Sequence, residues 1–260
     1  MPSLAHFCFY LEVIVTNATI DLLRAHRSIR KFKNQPVTEQ VLEQILLAGQ
    51  SAATSSFLQG ATVIRICNPE SRQKLAMYAG NQPYVASAPE FLVFCADLRR
   101  AGNCCTTYGK SFSGEYTEHF IIATVDAALM AQNAVVAAES LGLGICYIGG
   151  IRNNPREVSD LLQLPQGVYP VFGLCLGYPD QDPEVKPRLP LSVIVKNEVY
   201  DDSGDQPVVA AYDEQVREYY RTRTGGGHGI SWSEQVADLL SEKARPHMRG
   251  FLSEQGFDFK

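Results

Sequence analysis

Residues 117–141 read TEHFIIATVDAALMAQNAVVAAESL and end at Gly142. The stretch is alanine-rich and holds neither glycine nor proline, so the spacing predicts one long helix with Gly142 as its C-cap. Apolar residues occupy most of its circumference: Phe120, Ile121, Ile122, Val125, Ala128, Leu129, Ala131, Val135 and Val136. A helix apolar nearly all round is expected to be buried on all sides. It is therefore central to the fold or to a subunit contact.

Around this helix, strands and helices alternate irregularly, which predicts an α+β class. Short apolar runs at 61–66, 91–95, 145–148 and 168–176 read as strands. Helices are expected at 19–25, at 38–53 with Thr38 as N-cap, and after Asn68-Pro69, where an Asn cap precedes a first-turn proline. Asn154-Pro155-Arg156-Glu157 resembles a capping box. Further helices are expected at 208–221, at 233–244 and from Arg245-Pro246 to Ser253. The polar stretch 98–116 reads as a surface loop. Gly142-Leu143-Gly144 follows a helix and precedes a strand, the reverse of the order in a dinucleotide-binding turn.

The 260 residues carry a formal charge of −5, are 45% hydrophobic and 20% charged. This composition supports a globular core and argues against nonspecific nucleic-acid binding, which needs a basic stripe. Residues 1–15 form a short apolar stretch without a basic start or a small-residue cleavage site. They read as a disordered leader or an overlong start, too short to span a bilayer. Residues 16–260 are expected to form one domain with a helical C-terminal extension. Seven cysteines show no CxxC or metal-binding spacing. Most lie in apolar runs, and the usage fits a cytoplasmic protein. Cys104-Cys105 falls in the expected loop.

Positive charge gathers in two places on this acidic chain: His26-Arg27-Ser28-Ile29-Arg30 and Lys186-Pro187-Arg188. Arginine forks match phosphate oxygens bidentately, and lysine adds a point charge, so the clusters suggest a local anion site. His26 is equally readable as a partner of a helix C-terminus. Gly149-Gly150, at a strand end, either allow close backbone approach to a flat ligand or make a tight exit turn. No hydrolase, metalloprotease or Walker motif is present.

The stretches HRSIRKF (26–32), ATSSFLQ (53–59), NQPYVASAPEF (81–91), DAALMAQNAVVAAESLGLGICYIGGIRNN (126–154), LPQGVYPVFGLCLGYP (164–179), KPRLP (186–190), YDEQVREYYRTR (212–223) and ARPHM (244–248) closely resemble the nitroreductase superfamily. The likeness is to its group A oxygen-insensitive NADPH nitroreductases and NADPH–flavin oxidoreductases. The resemblance implies an FMN-dependent fold with a central mixed sheet flanked by helices, assembled as an intertwined homodimer with two FMN sites at the interface. It implies FMN contacts from His26, Arg27, Ser28, Arg30, Gln82, Lys186, Pro187 and Arg188, and from the turn Thr54, Ser55, Ser56. Tyr147, Ile148, Gly149 and Gly150 would lie along the flavin ring, with Arg152 a neighbour. Arg223 and Arg245 would meet NADPH.

Phe57 is either an aromatic wall for flat acceptors or a core residue. The implied activity is ping-pong hydride transfer from NADPH, through FMN, to nitroaromatics or quinones. A flavin reductase supplying reduced FMN and a non-catalytic flavin-binding protein are the alternatives. The chain departs from the resemblance at Thr54, where relatives carry serine, and in the glycine-rich 224–229 segment, which is expected to be mobile and bears on NADPH preference. It departs also at 98–116, a stretch longer than usual.

Overall fold

The computed structural model describes residues 16–223, 227, 229–242 and 244–260. The expected leader and most of the glycine-rich segment lie outside them. In chain order the elements are α1 (Ala18–Arg24), α2 (Glu39–Gln50), β1 (Ala61–Arg65), α3 (Pro69–Tyr78), α4 (Pro83–Ser87), β2 (Glu90–Asp97), α5 (Arg99–Thr107) and α6 (Thr117–Ser140). There follow β3 (Gly144–Ile148), α7 (Pro155–Leu162), β4 (Val168–Gly177), α8 (Leu191–Ile194), α9 (Asp205–Thr222), α10 (Trp232–Ser241) and α11 (Met248–Glu254).

The four strands make one sheet in the order β1-β2-β4-β3. Among the described residues all three ladders are antiparallel, so the sheet is not mixed, and the parallel contact is the isolated bridge from Ser28 to Ile145. β2 is buried along its whole length because both faces of the sheet are covered. Phe91, Val93 and Cys95 face a layer containing Leu75, Ala79, Val85, Ile151 and Val158. Leu92 and Phe94 alternate to the other face, against Ile45 of α2 and Ala131, Ala134 and Val135 of α6. Between Phe94 and Cys95 the register with β4 skips Val171, a bulge beside Pro170, whose nitrogen has no hydrogen to give a ladder.

α6 is the central helix, but it is not buried on all sides. Its face of Ala123, Ala127, Ala131, Ala134 and Ala138 packs inward, where small side chains let the helix sit close to the sheet. Ile121, Val125 and Leu129 lie on the opposite face and are 48%, 48% and 43% exposed. By length and composition alone α6 would also pass as a membrane span.

Local signals placed most boundaries. Asn17, Thr38 and Asn68 cap α1, α2 and α3 through side-chain acceptors, and Gly142 ends α6 with φ +78°. The expected loop at 98–116 instead contains α5, on which Cys104 and Cys105 stand. Asp97 Oδ1 accepts from Arg100 N–H at 3.3 Å and starts that helix; none of its residues is buried, so periodicity carried no signal. The capping box at Asn154 does not form: the side chain accepts no helix N–H, and its Nδ2 donates to Tyr78 O at 2.8 Å. The six described cysteines are free.

Candidate functional site

Segment 28–33 runs beside the sheet edge formed by β3. Ile29 N–H donates to Ile145 O at 2.7 Å and Lys33 N–H to Tyr178 O at 2.9 Å. This places His26, Arg27, Ser28 and Arg30 in a row near the start of β3. His26 Nδ1 lies 2.6 Å from Glu139 Oε1 in the last turn of α6, so the ring is committed to that carboxylate. Arg27 pairs with Asp182, and the Arg30 N–H donates to Gln181 Oε1 at 3.2 Å. The Arg30 guanidinium works against the burial that raises the Tyr84 phenol and the Cys146 thiol above their usual values. Tyr84 Oη donates to Gln82 Oε1 at 2.7 Å, and Gln82 Nε2 donates to Ala79 O at 2.7 Å, which fixes the Gln82 amide.

At the far end of β3 the chain turns through a short 3-10 helix, Gly149–Asn153. A Cβ on Gly150 would collide with Ala79 O and come within 2.7 Å of Gln82 Nε2. The two glycines therefore do more than exit a strand: the second lets two backbones touch. Arg152 reaches back along this turn and donates to the carbonyl of the bulged Val171. Burial and then the neighbouring Arg245 lower its pKa from the usual arginine value. Arg245 arrives from the C-terminal segment, φ +53°, and donates to Asn153 Oδ1 at 2.9 Å. His247 Nε2 lies 3.0 Å from Arg152 O.

The second cationic cluster is tied to α9. Arg188 Nη1 donates to Lys186 O at 2.9 Å, and Tyr212 Oη donates to Pro187 O at 3.0 Å. Lys186 Nζ stands 5.0 Å from the Tyr220 ring centroid, and Arg223 Cζ stands 4.9 Å from the same centroid. One aromatic ring thus brings together the expected phosphate lysine and the expected NADPH arginine. Among the described residues, Arg30, Arg152, Lys186, Arg188, Arg223 and Arg245 form no ion pair with a carboxylate. Cations left without carboxylates in a chain of net charge −5 are suited to anionic groups, so the donor chemistry fits a phosphate-bearing cofactor such as FMN.

Thr54, Ser55, Ser56 and Phe57 do not join either cluster within one chain. Thr54, Ser56 and Phe57 line a separate cleft of about 780 Å³ with Arg100, Cys104, Cys105 and Asp126. None of the residues of the 26–30, 147–152 or 186–188 groups lines it. Phe57 is 82% exposed and is not a core residue.

Reading the sequence missed Glu139, Asp182, Tyr84, Tyr220 and Asp126. Asp126 alone gave a signal, a single carboxylate amid the apolar run VDAALM. The others are ordinary polar residues whose partners lie far away along the chain; Glu139 is 113 residues from His26.

The sequence profile of the Nitroreductase family matches residues 23–178, and that of the Nitroreductase family, C-terminal domain, matches residues 186–260. The oxygen-insensitive NADPH nitroreductase of Salmonella typhimurium is 44% identical over 239 residues, covering 92% of this chain and 98% of that protein. The NADPH-flavin oxidoreductase of Vibrio harveyi is 43% identical over 240 residues, covering 92% and 98%. The solved structure of NADPH:FMN oxidoreductase from Vibrio harveyi complexed with NAD+ superposes with a TM-score of 0.86 at 41% identity, covering 94% of this chain and all of that one. On these matches and this fold, the chain belongs to the nitroreductase family.

Proposed function

We propose that this chain is an NADPH-dependent FMN oxidoreductase that reduces nitroaromatics and quinones by two-electron, ping-pong hydride transfer. The observation that carries the proposal is two groups of cations without carboxylate partners among the described residues: Arg30, Arg152 and Arg245 at the two ends of β3, and Lys186, Arg188 and Arg223 at α9. FMN, when bound, supplies the hydride acceptor and donor. Lys186 and Arg188 hold its phosphate, and Arg30 and the fixed Gln82 amide set its orientation. The Gly149–Asn153 turn offers a backbone surface without side chains at its first two positions. Arg223 and Arg245 receive the phosphates of NADPH. Phe57 presents an apolar wall to flat acceptors and excludes water from that side.

The same proposal assigns the apolar outer face of α6 to a second copy of the chain. Ile121, Val125 and Leu129 repeat every four residues and would be covered there. The partner would bring its 54–57 turn to the 149–150 turn of the first copy, joining what one chain keeps apart. Val125→Glu should shift the protein toward monomer in analytical ultracentrifugation; an unchanged dimer would remove this assignment.

Relatives of comparable identity are named for nitro reduction and for flavin reduction, so the second reading is a flavin reductase that releases reduced FMN. A storage protein has no use for the Arg223 position beside Lys186. Anaerobic stopped-flow mixing with NADPH, then reoxidation by nitroaromatics, quinones or free FMN, tests all three. Bleaching by NADPH with fast reoxidation by nitroaromatics and quinones supports the first reading. Fast turnover with free FMN alone supports the second, and a protein that binds FMN but is not bleached overturns both.

A further inference from the structure

The turn bearing Ser56 and Phe57 has an unusual backbone, and a buried carboxylate holds both of its ends. Ser56, Phe57 and Gln59 have φ of +49°, +58° and +55°. Side chains with a Cβ are disfavoured in that region, and such a conformation persists only where its surroundings over-determine it. Phe57 is exposed and contributes no packing that would hold the turn. The holding groups are polar. Asp126 is 1% exposed on the inner face of α6. Its Oδ1 accepts from Ser55 N–H at 3.1 Å, and its Oδ2 accepts from Gly60 N–H at 2.9 Å, so one carboxylate brackets the turn. Leu58 N–H closes the turn internally on Ser55 O at 2.9 Å. Arg100 Nη1 takes Gln59 O at 3.0 Å from the other side. Gly60 lies against α6, where a Cβ would stand 3.2 Å from Ala123 Cα.

We infer that Asp126 is the positioning residue that sets the 54–57 turn, and through it the placing of Ser56 and Phe57 in the flavin site. The inference rests on the proposed function for the word flavin and on the bracketing bonds for the word positioning. Asp126 touches neither FMN nor acceptor in this account. Its carboxylate supplies two acceptors in fixed directions, which an asparagine cannot do, since one of its two groups is a donor that would face an N–H. Because the clamp springs from the central helix, the turn is placed relative to the same helix whose outer face is assigned to the partner.

The test uses full-length Asp126→Asn, with Gln59→Gly added in a double variant. Three readouts are taken: amide hydrogen exchange at Ser55 and Gly60, FMN affinity of apoprotein by flavin fluorescence titration, and kcat with KM for NADPH and a nitroaromatic. Loss of a charge-assisted bond predicts exchange faster by roughly 10-fold or more at whichever of the two amides, Ser55 or Gly60, faces the new side-chain NH2. FMN dissociation and acceptor KM should rise by roughly 10-fold on the same basis, with NADPH KM within about 2-fold of wild type. The double variant should recover part of the FMN affinity, because glycine at 59 adopts positive φ without the clamp. A general loss of stability would lower Tm without this rescue.

Wild-type FMN affinity and wild-type exchange in Asp126→Asn would overturn the inference. If wild-type protein binds no FMN, the flavin reading fails by itself, and the exchange arm still decides on the clamp. If Asp126→Asn is insoluble, the double variant is expected to fold, and its insolubility would equally overturn the inference.

Discussion

Replacing Gly150 with alanine isolates one close approach at the candidate site. Neither Gly149 nor Gly150 has a positive φ, so the backbone accepts alanine at both positions and the cost is steric. At Gly150 the new Cβ meets backbone: it collides with Ala79 O and stands 3.1 Å from the Ala79 carbonyl carbon. Ala79 ends α3 and is fully buried, so it has nowhere to retreat. Overpacking of this kind costs about 1–3 kcal/mol. The same carbonyl accepts Gln82 Nε2, and losing that bond adds about 0.5–1.5 kcal/mol.

A total of about 1.5–4.5 kcal/mol lowers Tm by about 3–18 °C in a chain of this size. At Gly149 the Cβ meets only the end of the Arg152 side chain, at 3.4 Å, which can move aside. Gly149→Ala should therefore melt within about 2 °C of wild type. Differential scanning calorimetry at fixed protein concentration and saturating FMN makes the comparison, since bound ligand also shifts Tm. Equal melting of the two variants would refute the assignment of Gly150 to packing against Ala79.

Lys186→Ala and Arg188→Ala should each weaken FMN binding by about 1.5–3 kcal/mol, roughly 10–100-fold in dissociation constant, read by fluorescence titration. Arg223→Ala should raise the KM for NADPH far more than that for NADH in steady-state assays, and an equal rise for both would remove its role at the extra phosphate. Burial pushes the Tyr147 and Tyr169 phenols and the Cys95 thiol up to about 12. These groups are protonated in both states at neutral pH, so their contribution is intact below the unfolded values. It is lost as pH climbs toward 12, because the unfolded chain ionises first. Tm measured against pH should fall steeply above about 10, and Tyr169→Phe should fall less steeply.

The α+β class and most element positions are legible because their signals are local. Caps at Thr38 and Asn68, the continuous run of β2 and the glycine after α6 each declare themselves within a few residues. α5 was not legible, since RRAGNCCTT has no apolar stripe and its start depends on Asp97. The antiparallel sheet was not legible either, because pairing partners such as Cys146 and Cys175 are set by tertiary packing. The cationic stretches of the site stood out in sequence. Their orienting partners did not: Glu139, Tyr220 and Asp126 gain meaning only from the side chains or amides they meet in space.

The separation of the 54–57 turn from the 149–150 turn within one chain has a genetic consequence. In the proposed dimer, a subunit crippled at Lys186 and a subunit crippled in the Ser56 turn would carry their lesions in different halves of one shared cavity. When the two are coexpressed and pair, one of the two cavities in the hybrid receives both lesions and the other receives none. Two inactive alleles should then complement each other to about half of normal activity per hybrid, whereas either allele alone stays silent.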